Sequence, residues 1–313
     1  MDNFLLCLNA ILPLLLLMLL GYGLRRSGMI SHEGFSAMDK LCFRILIPAM
    51  LFSNVYHSDF HSDLYPQAIV FMWLAMLATF LLAFFLIPQL IHGEKAEVAT
   101  VIHGLCHGNL AVLGMPLMLN LFDADTVVVY SILMACSSPL INPLMVFEHV
   151  YFQGEKVEPL RLLRNILTSP FLVGTLLGMF CNLIGLHFPA FLETTIANLK
   201  SIASPLCLIA LGGSFSFRSI RGSFREVAGV VLARCVVLPA MIIGFAVLLG
   251  FRGVALASLL VIFACPSAAA TYSFCTGYCG DPELASQLVV YTTVFSIFSM
   301  FCWLFLFLQL GLF

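Results

Sequence analysis

The chain has 313 residues, of which 61% are hydrophobic and only 10% charged, at a formal net charge of −2 and a mean hydropathy of +1.06. Soluble domains carry about 25% charged residues, and a soluble core of this length could not hide so much apolar surface, so the composition points to a lipid bilayer. Nucleic-acid binding is excluded as well, because no basic stripe is present to hold phosphates.

A bilayer-spanning helix needs about 20 mostly apolar residues, and this ruler predicts an all-α membrane protein with ten spans. The first five are expected near Phe4–Leu24, Met38–Tyr56, Gln67–Ile91, Ala96–Phe122 and Thr126–Phe147. The other five are expected near Pro170–Leu186, Thr195–Phe215, Val227–Leu249, Val254–Tyr278 and Glu283–Leu312. The Phe4–Leu24 run is too long for a signal-peptide core and lacks a basic n-region, so it reads as a retained helix. Between the fifth and sixth spans lies the longest polar connection, Glu148 to Ser169. Its Tyr151-Phe152-Gln153-Gly154 stretch resembles the site of a tag-removing viral protease but reads as native sequence. The 11 cysteines lie mostly inside apolar runs without metal-ligand spacing, as small membrane-core residues would.

The chain resembles itself at an interval of 157 residues. Pro13 matches Pro170, Gly21 matches Gly178, Gly28 matches Gly185, Pro48 matches Pro205, Gly93 matches Gly250 and Gly154 matches Gly311. A repeated half in a membrane chain is the sequence mark of a secondary transporter. Two repeats are therefore expected within one membrane domain, residues 1–153 and 154–313. Each holds five spans, an odd number, so the second would enter the membrane from the opposite side. The basic residues set the orientation. Arg25, Arg26, Lys40, Arg44, Lys95, Lys156, Arg161, Arg164, Arg218, Arg221 and Arg225 flank odd-numbered connections, against Lys200 and Arg252 on even ones. The expectation is a cytoplasmic (inner) membrane protein with both termini outside.

Two spans carry interruptions. The fourth reads His107-Gly108-Asn109-Leu110-Ala111-Val112-Leu113-Gly114-Met115-Pro116, and the ninth reads Ala264-Cys265-Pro266-Ser267-Ala268-Ala269-Ala270-Thr271. Proline lacks a donor and clashes with the carbonyl four residues back, and glycine loosens a helix further. Asn109 and Pro266 coincide at the repeat interval, which favours paired crossover helices over independent kinks such as those expected at Pro13, Pro48 and Pro239. Broken spans are tolerated at mid-membrane where they are buried in protein or line a wet cavity, and half-helix N-terminal ends suit an anionic carboxylate. The candidate substrate-binding residues are Gly108, Asn109, Gly114, Pro116, Cys265, Pro266, Ser267 and Thr271. Asn109 offers an uncharged amide donor.

Other polar residues within the spans have two readings each. His103 and His107, one turn apart, could couple protons or simply be hydrogen-bonded cavity residues. A metal site would need further ligands, which the sequence does not place beside them. Arg234 could face the bundle interior and attract an anion, or snorkel to the cytoplasmic side. Ser137, Ser138 and Asn142 could line a cavity or pack helices.

Asn109-x4-Gly114-x-Pro116 resembles the fourth-helix signature of the auxin efflux carrier family, which includes plant PIN-type carriers and bacterial malate–malonate permeases. Leu20-Gly21-Tyr22, Ile47-Pro48-Ala49-Met50-Leu51-Phe52 and Ser204-Pro205-Leu206 through Gly212 are similar to its first, second and seventh helices. Pro266 through Tyr278, Gly280-Asp281 and Leu284-Ala285-Ser286 resemble its ninth helix and the turn after it. The resemblance implies ten helices crossing at the fourth and ninth, with a scaffold part and a transport part. It also implies an elevator-like alternating-access cycle carrying a small organic anion. Leu110 and Cys265 depart from the family pattern and bear on substrate identity. The alternative transporter reading is a sodium-coupled symporter of the related bile-acid type. A membrane-embedded enzyme is the remote one, since HExxH, GxSxG and paired intramembrane aspartates are missing. Expected partners are an organic anion, H+ or Na+ as coupling ion, the bilayer and, as an open alternative, a second copy in a homodimer. No cofactor and no nucleic acid are expected.

Overall fold

The computed structural model describes residues 2–57, 65–91, 93–122, 127–154, 168, 170–215, 223–277 and 280–312. Within the hydrocarbon layer no water serves backbone N–H and C=O groups, so apolar runs close their hydrogen bonds internally as helix. Fourteen α-helices result among the described residues. The first seven are α1 (Asp2–Arg26), α2 (His32–Leu41), α3 (Ile47–Tyr56), α4 (Pro66–Leu90), α5 (Lys95–Cys106), α6 (Met115–Leu121) and α7 (Val128–Gln153). The others are α8 (Pro170–Leu183), α9 (Ala190–Ser214), α10 (Phe224–Leu232), α11 (Leu238–Leu248), α12 (Gly253–Ala264), α13 (Ala270–Gly277) and α14 (Pro282–Gln309).

Six stretches are long and apolar enough to cross a membrane: Phe4–Arg26, Pro66–Leu90, Val128–Gln153, Ala190–Gly213, Phe224–Leu248 and Pro282–Gln309. The other four expected spans do not qualify, for identifiable reasons. The fourth and ninth are broken, α8 has only 14 residues, and the second, helical from His32 to Tyr56, carries the charges of Asp39, Lys40 and Arg44.

Widened, π-type turns at Cys42–Leu46, Leu110–Gly114 and Ala233–Val237 each end two residues before a proline: Pro48, Pro116 and Pro239. A proline ring collides with the carbonyl four residues back, which here is that of Arg44, Val112 or Cys235, inside the turn in every case. The helix responds by reaching five residues back. Ile47 N–H donates to Cys42 O and Leu238 N–H to Ala233 O. Pro48, Pro116 and Pro239 thus widen their helices and leave them continuous.

Helix limits follow local chemistry. Ser31 Oγ accepts from Gly34 N–H at 3.1 Å to open α2, and Asp281 Oδ1 accepts from Glu283 and Leu284 N–H at 2.9 and 3.1 Å to open α14. Gly154 (φ 84°) and Gly311 (φ 62°) end α7 and α14 in the left-handed region that favours glycine. Helix positions recur near the interval of the matched glycines. Lys95–Cys106 is followed by Gly253–Ala264, Pro66–Leu90 by Phe224–Leu248, and Val128–Gln153 by Pro282–Gln309.

The chain divides into two compact units. The first comprises Met1–Tyr65, Ala111–Ser138 and Leu167–Phe215; the second comprises Pro66–Leu110, Pro139–Ile166 and Ser216–Phe313. In the first, glycines let helix backbones meet. Cβ atoms at Gly174 and Gly178 would each lie 2.6 Å from a backbone oxygen of α3, those of Pro48 and Phe52. This Gly-x3-Gly face packs α8 on α3 without side-chain intervention. Asn182 Nδ2 donates to Tyr56 O at 2.8 Å across the same pair of helices. Gly178→Ala should therefore lose about 1–3 kcal/mol by overpacking. Gly229→Ala, where a Cβ meets nothing within 4 Å, should be neutral or slightly stabilising. Thermal unfolding in detergent compares the two; equal midpoints would contradict the close-contact account.

In the second unit, Phe80 and Ala83 of α4, Val98, Ile102, Leu105 and Cys106 of α5, and Ile141 and Met145 of α7 form a buried cluster. Phe152 and Phe274 pack against it. The structure corrects the expected linker here: α7 continues to Gln153, so Glu148 and His149 are helical and fully buried. Met145, Glu148, His149 and Phe152 share one helix face by their i, i+3, i+4, i+7 spacing, and burial of the apolar members carries the polar ones in. The protease-like Tyr151-Phe152-Gln153 stretch is likewise helix. Lys156, Arg161, Arg164, Ser169, Arg218, Arg221 and Tyr278, used in the orientation and span expectations, lie outside the described residues.

Candidate functional site

The site grows from two helix ends in the second unit. α5 stops at Cys106 because His107 is extended (φ −96°, ψ 107°), and α12 stops at Ala264 with Cys265 at φ −56°, ψ 141°. The fourth span therefore breaks at His107–Asn109, seven or more residues before Pro116, contrary to the expectation that Pro116 contributes the break. The ninth breaks around Cys265 and Pro266 as expected.

The two extended segments pair antiparallel, Gly108 opposite Ser267. Asn109 N–H donates to Pro266 O at 2.8 Å, and Ala268 N–H donates to His107 O at 2.8 Å. Backbone groups freed by both breaks thereby satisfy one another, as an interior without water demands. Pro266 has no N–H to lose, and its carbonyl does the accepting. Ser267 Oγ donates to Gly104 O at 2.6 Å, and Ser267 N–H donates to Thr292 Oγ1 at 3.1 Å, which fixes the crossing to α5 and α14.

A helix end leaves unpaired carbonyls and a partial negative charge. Arg234 answers both ends at once. Its Nε donates to Cys265 O at 2.8 Å, and its Nη1 donates to Leu105 O at 2.7 Å and Cys106 O at 3.4 Å. Arg234 sits in the widened turn before Pro239 and is only 3% exposed, so the snorkelling reading is overturned. Gly108 is small for the same reason: a Cβ there would strike Nη2 of Arg234. Gly108→Ala should displace the guanidinium and destabilise by about 1–3 kcal/mol. Thermal unfolding reads this, and a midpoint matching the parent would show that the arginine is not held there.

At the crossing, two side-chain donors have no hydrogen-bond partner among the described residues: Asn109 Nδ2, on a residue 4% exposed, and Oγ1 of the fully buried Thr271 in the first turn of α13. Cys265 contributes its backbone carbonyl. His103, His107, Gly108, Asn109, Arg234, Cys265, Pro266, Ser267 and Thr271 all belong to the second unit, as does the half-buried Asn142. Gly114, Pro116 and Ser138 belong to the first. Ser138 Oγ donates within its own helix to Met134 O at 3.5 Å.

His103 is fully buried and bonded on both ring nitrogens, Nε2 to His107 Nδ1 and Nδ1 to His149 Nε2, each at 3.0 Å. Phe274 lies 4.8 Å from the His103 ring. Glu148 Oε2 stands 3.7 Å from His149 Nε2, and among the described residues neither Glu148 oxygen accepts a hydrogen bond. The expectation that no further ligand stands near His103 is thus corrected. Glu148 and His149 come from α7, 45 and 46 positions along the chain.

The family model described as "Membrane transport protein" matches residues 6–304. The chain belongs to that family, the one that includes the auxin efflux carriers. This membrane-transport family member is similar to an uncharacterized transporter of Methanothermobacter thermautotrophicus, 25% identical over 297 residues, covering 94% of this chain and 96% of that one. It is also similar to an uncharacterized transporter of Methanocaldococcus jannaschii, 22% identical over 302 residues, covering 95% and 97%. Family membership and six membrane-length helices make it an integral membrane transporter in type.

Proposed function

We propose that this transporter moves a small organic carboxylate across the cytoplasmic membrane, with the crossing of the fourth and ninth spans as its binding site. In this reading the chain is two inverted five-span repeats, both termini lie outside, and the cycle is elevator-like alternating access. The observation that carries it is the buried amide Nδ2 of Asn109, which has no partner among the described residues, at a crossing whose backbone groups pair with one another. A buried donor without an acceptor is unfavourable unless a ligand supplies one.

Electrostatics favour an anion over a neutral ligand. Each helix C-terminus carries about −0.5 charge, so the single charge of Arg234 roughly balances the ends of α5 and α12 that it caps. The partial positive charge at the start of α13, where Thr271 sits, is left for a ligand. A carboxylate would accept from Asn109 Nδ2 and Thr271 Oγ1 without displacing Arg234.

A panel of small mono- and dicarboxylates, amines and sugars added to purified protein tests this by thermal shift. Ligand at a hundred times its Kd stabilises by about 2.7 kcal/mol, so a binder raises the unfolding midpoint. Stabilisation confined to carboxylates is expected. Stabilisation by amines or sugars alone would remove the anion reading.

A further inference from the structure

We propose that His103, His149 and Glu148 bind one divalent transition-metal ion of the zinc type. The ligands are His103 Nδ1, His149 Nε2 and a Glu148 carboxylate oxygen, with His107 orienting His103 from behind. All three ligand residues are fully buried, and their ligand atoms lie within 4.8 Å of one another. Zinc takes nitrogen at 2.0–2.1 Å and carboxylate oxygen at 2.0–2.2 Å, so two ligand atoms on a tetrahedral ion stand roughly 3.3–3.5 Å apart. The observed separations, 3.0 Å between the two nitrogens and 3.7 Å from His149 Nε2 to Glu148 Oε2, bracket that value.

Glu148 supplies the independent reason for a cation. Both of its oxygens are buried and neither receives a hydrogen bond from the described residues. An ionised carboxylate so placed needs a compensating charge in contact, and a neutral acid would still bury its O–H and C=O without partners. A proton shared by the His103–His149 pair would leave the carboxylate still without a donor at bonding distance, whereas an ion between the three groups engages all of them. Two imidazoles and one carboxylate select a borderline ion, since sodium, calcium and magnesium prefer oxygen.

His107 fits the arrangement as an outer partner. A metal-bound imidazole usually gives its other N–H to an acceptor, which fixes tautomer and ring orientation. His103 Nε2 has His107 Nδ1 at 3.0 Å in that place. Three protein ligands leave a fourth position open on the ion, while Phe274 shields the imidazole rings on one side.

The test uses the full chain without a histidine tag, stripped with chelator and titrated with Zn2+, with Co2+ as spectroscopic probe. One equivalent of zinc per chain and the intense visible bands of four-coordinate Co2+ are expected. Glu148→Gln, isosteric and uncharged, should lose stoichiometric binding, as should His149→Gln. His107→Gln should keep one equivalent but bind about 10–100-fold more weakly, as loss of an outer partner does. Parent protein that binds only substoichiometric zinc without four-coordinate Co2+ bands would overturn the site and leave a hydrogen-bonded histidine cluster. Unchanged binding in well-folded Glu148→Gln and His149→Gln proteins would overturn it equally. Carboxylate binding is measured separately with chelator present, so failure here leaves the Asn109 reading intact and the converse also holds.

Discussion

Asn109→Ala should bind the proposed carboxylate substrate about ten- to a hundredfold more weakly than the parent, because a hydrogen bond to a charged group contributes roughly 1.5–3 kcal/mol. The fold should survive. Asn109 holds the crossing through its backbone N–H to Pro266 O, which alanine retains, while its side-chain Nδ2 has no partner to lose among the described residues. Removing a buried, unpartnered amide even relieves a desolvation penalty in the unliganded protein, so the thermal midpoint should hold or rise slightly. Asn109→Asp should be worse for binding, since it sets a carboxylate against an anion. Asn182→Ala is the control. That residue donates to Tyr56 O in the first unit, so its loss should lower stability without changing affinity. Isothermal titration of the folded variants separates the two outcomes. Parent-like affinity in Asn109→Ala would remove the side chain from the site.

Arg234→Ala should produce the opposite pattern, a large loss of stability that precedes any question of binding. It removes three donor contacts, to Cys265, Leu105 and Cys106 carbonyls, and leaves two helix C-termini buried with no counter-charge. Breaking a buried charge arrangement by deleting one partner costs about 3–5 kcal/mol. Lysine should restore little. Arginine's planar fork reaches both helix ends from one stem, whereas an ammonium is a point charge. Thermal unfolding in detergent, with size-exclusion profiles as a check on folding, measures it. A midpoint for Arg234→Ala within error of the parent would mean that the guanidinium is not the clamp of the crossing.

Much of this architecture is legible in the sequence. Hydropathy alone locates the apolar helices, since length and polarity are what the bilayer constrains. The Asn109/Pro266 coincidence at one repeat interval points to the two segments that pair. The mechanism of the break in the fourth span is not so visible. Pro116 is the conspicuous helix breaker, yet a widened turn absorbs it, and the chain leaves helix at His107 and Gly108 instead. What stops the helix there is long-range: pairing with Ser267 and the guanidinium beside Gly108, neither of which is a local signal.

Glu148 and His149 show the complementary limit. Two polar residues after an apolar run look like the edge of a membrane span. The spacing of Met145, Glu148, His149 and Phe152 nevertheless puts all four on one face, and that signal is present in the sequence. Their meeting with His103 is a tertiary event that no spacing encodes. Arg234 is similar. The sequence shows a buried-looking cation but not which carbonyls it serves.

The most direct test of the central claim is counterflow in proteoliposomes. Vesicles carrying the purified chain are loaded with the carboxylate that gives the largest thermal shift, then diluted into a trace of the same compound in labelled form. The parent chain should accumulate label transiently above equilibrium, and Asn109→Ala vesicles should match protein-free ones. Uptake by the parent no faster than by protein-free vesicles, or parent-like uptake by Asn109→Ala, would contradict a carboxylate carrier built on the crossing of the two broken helices.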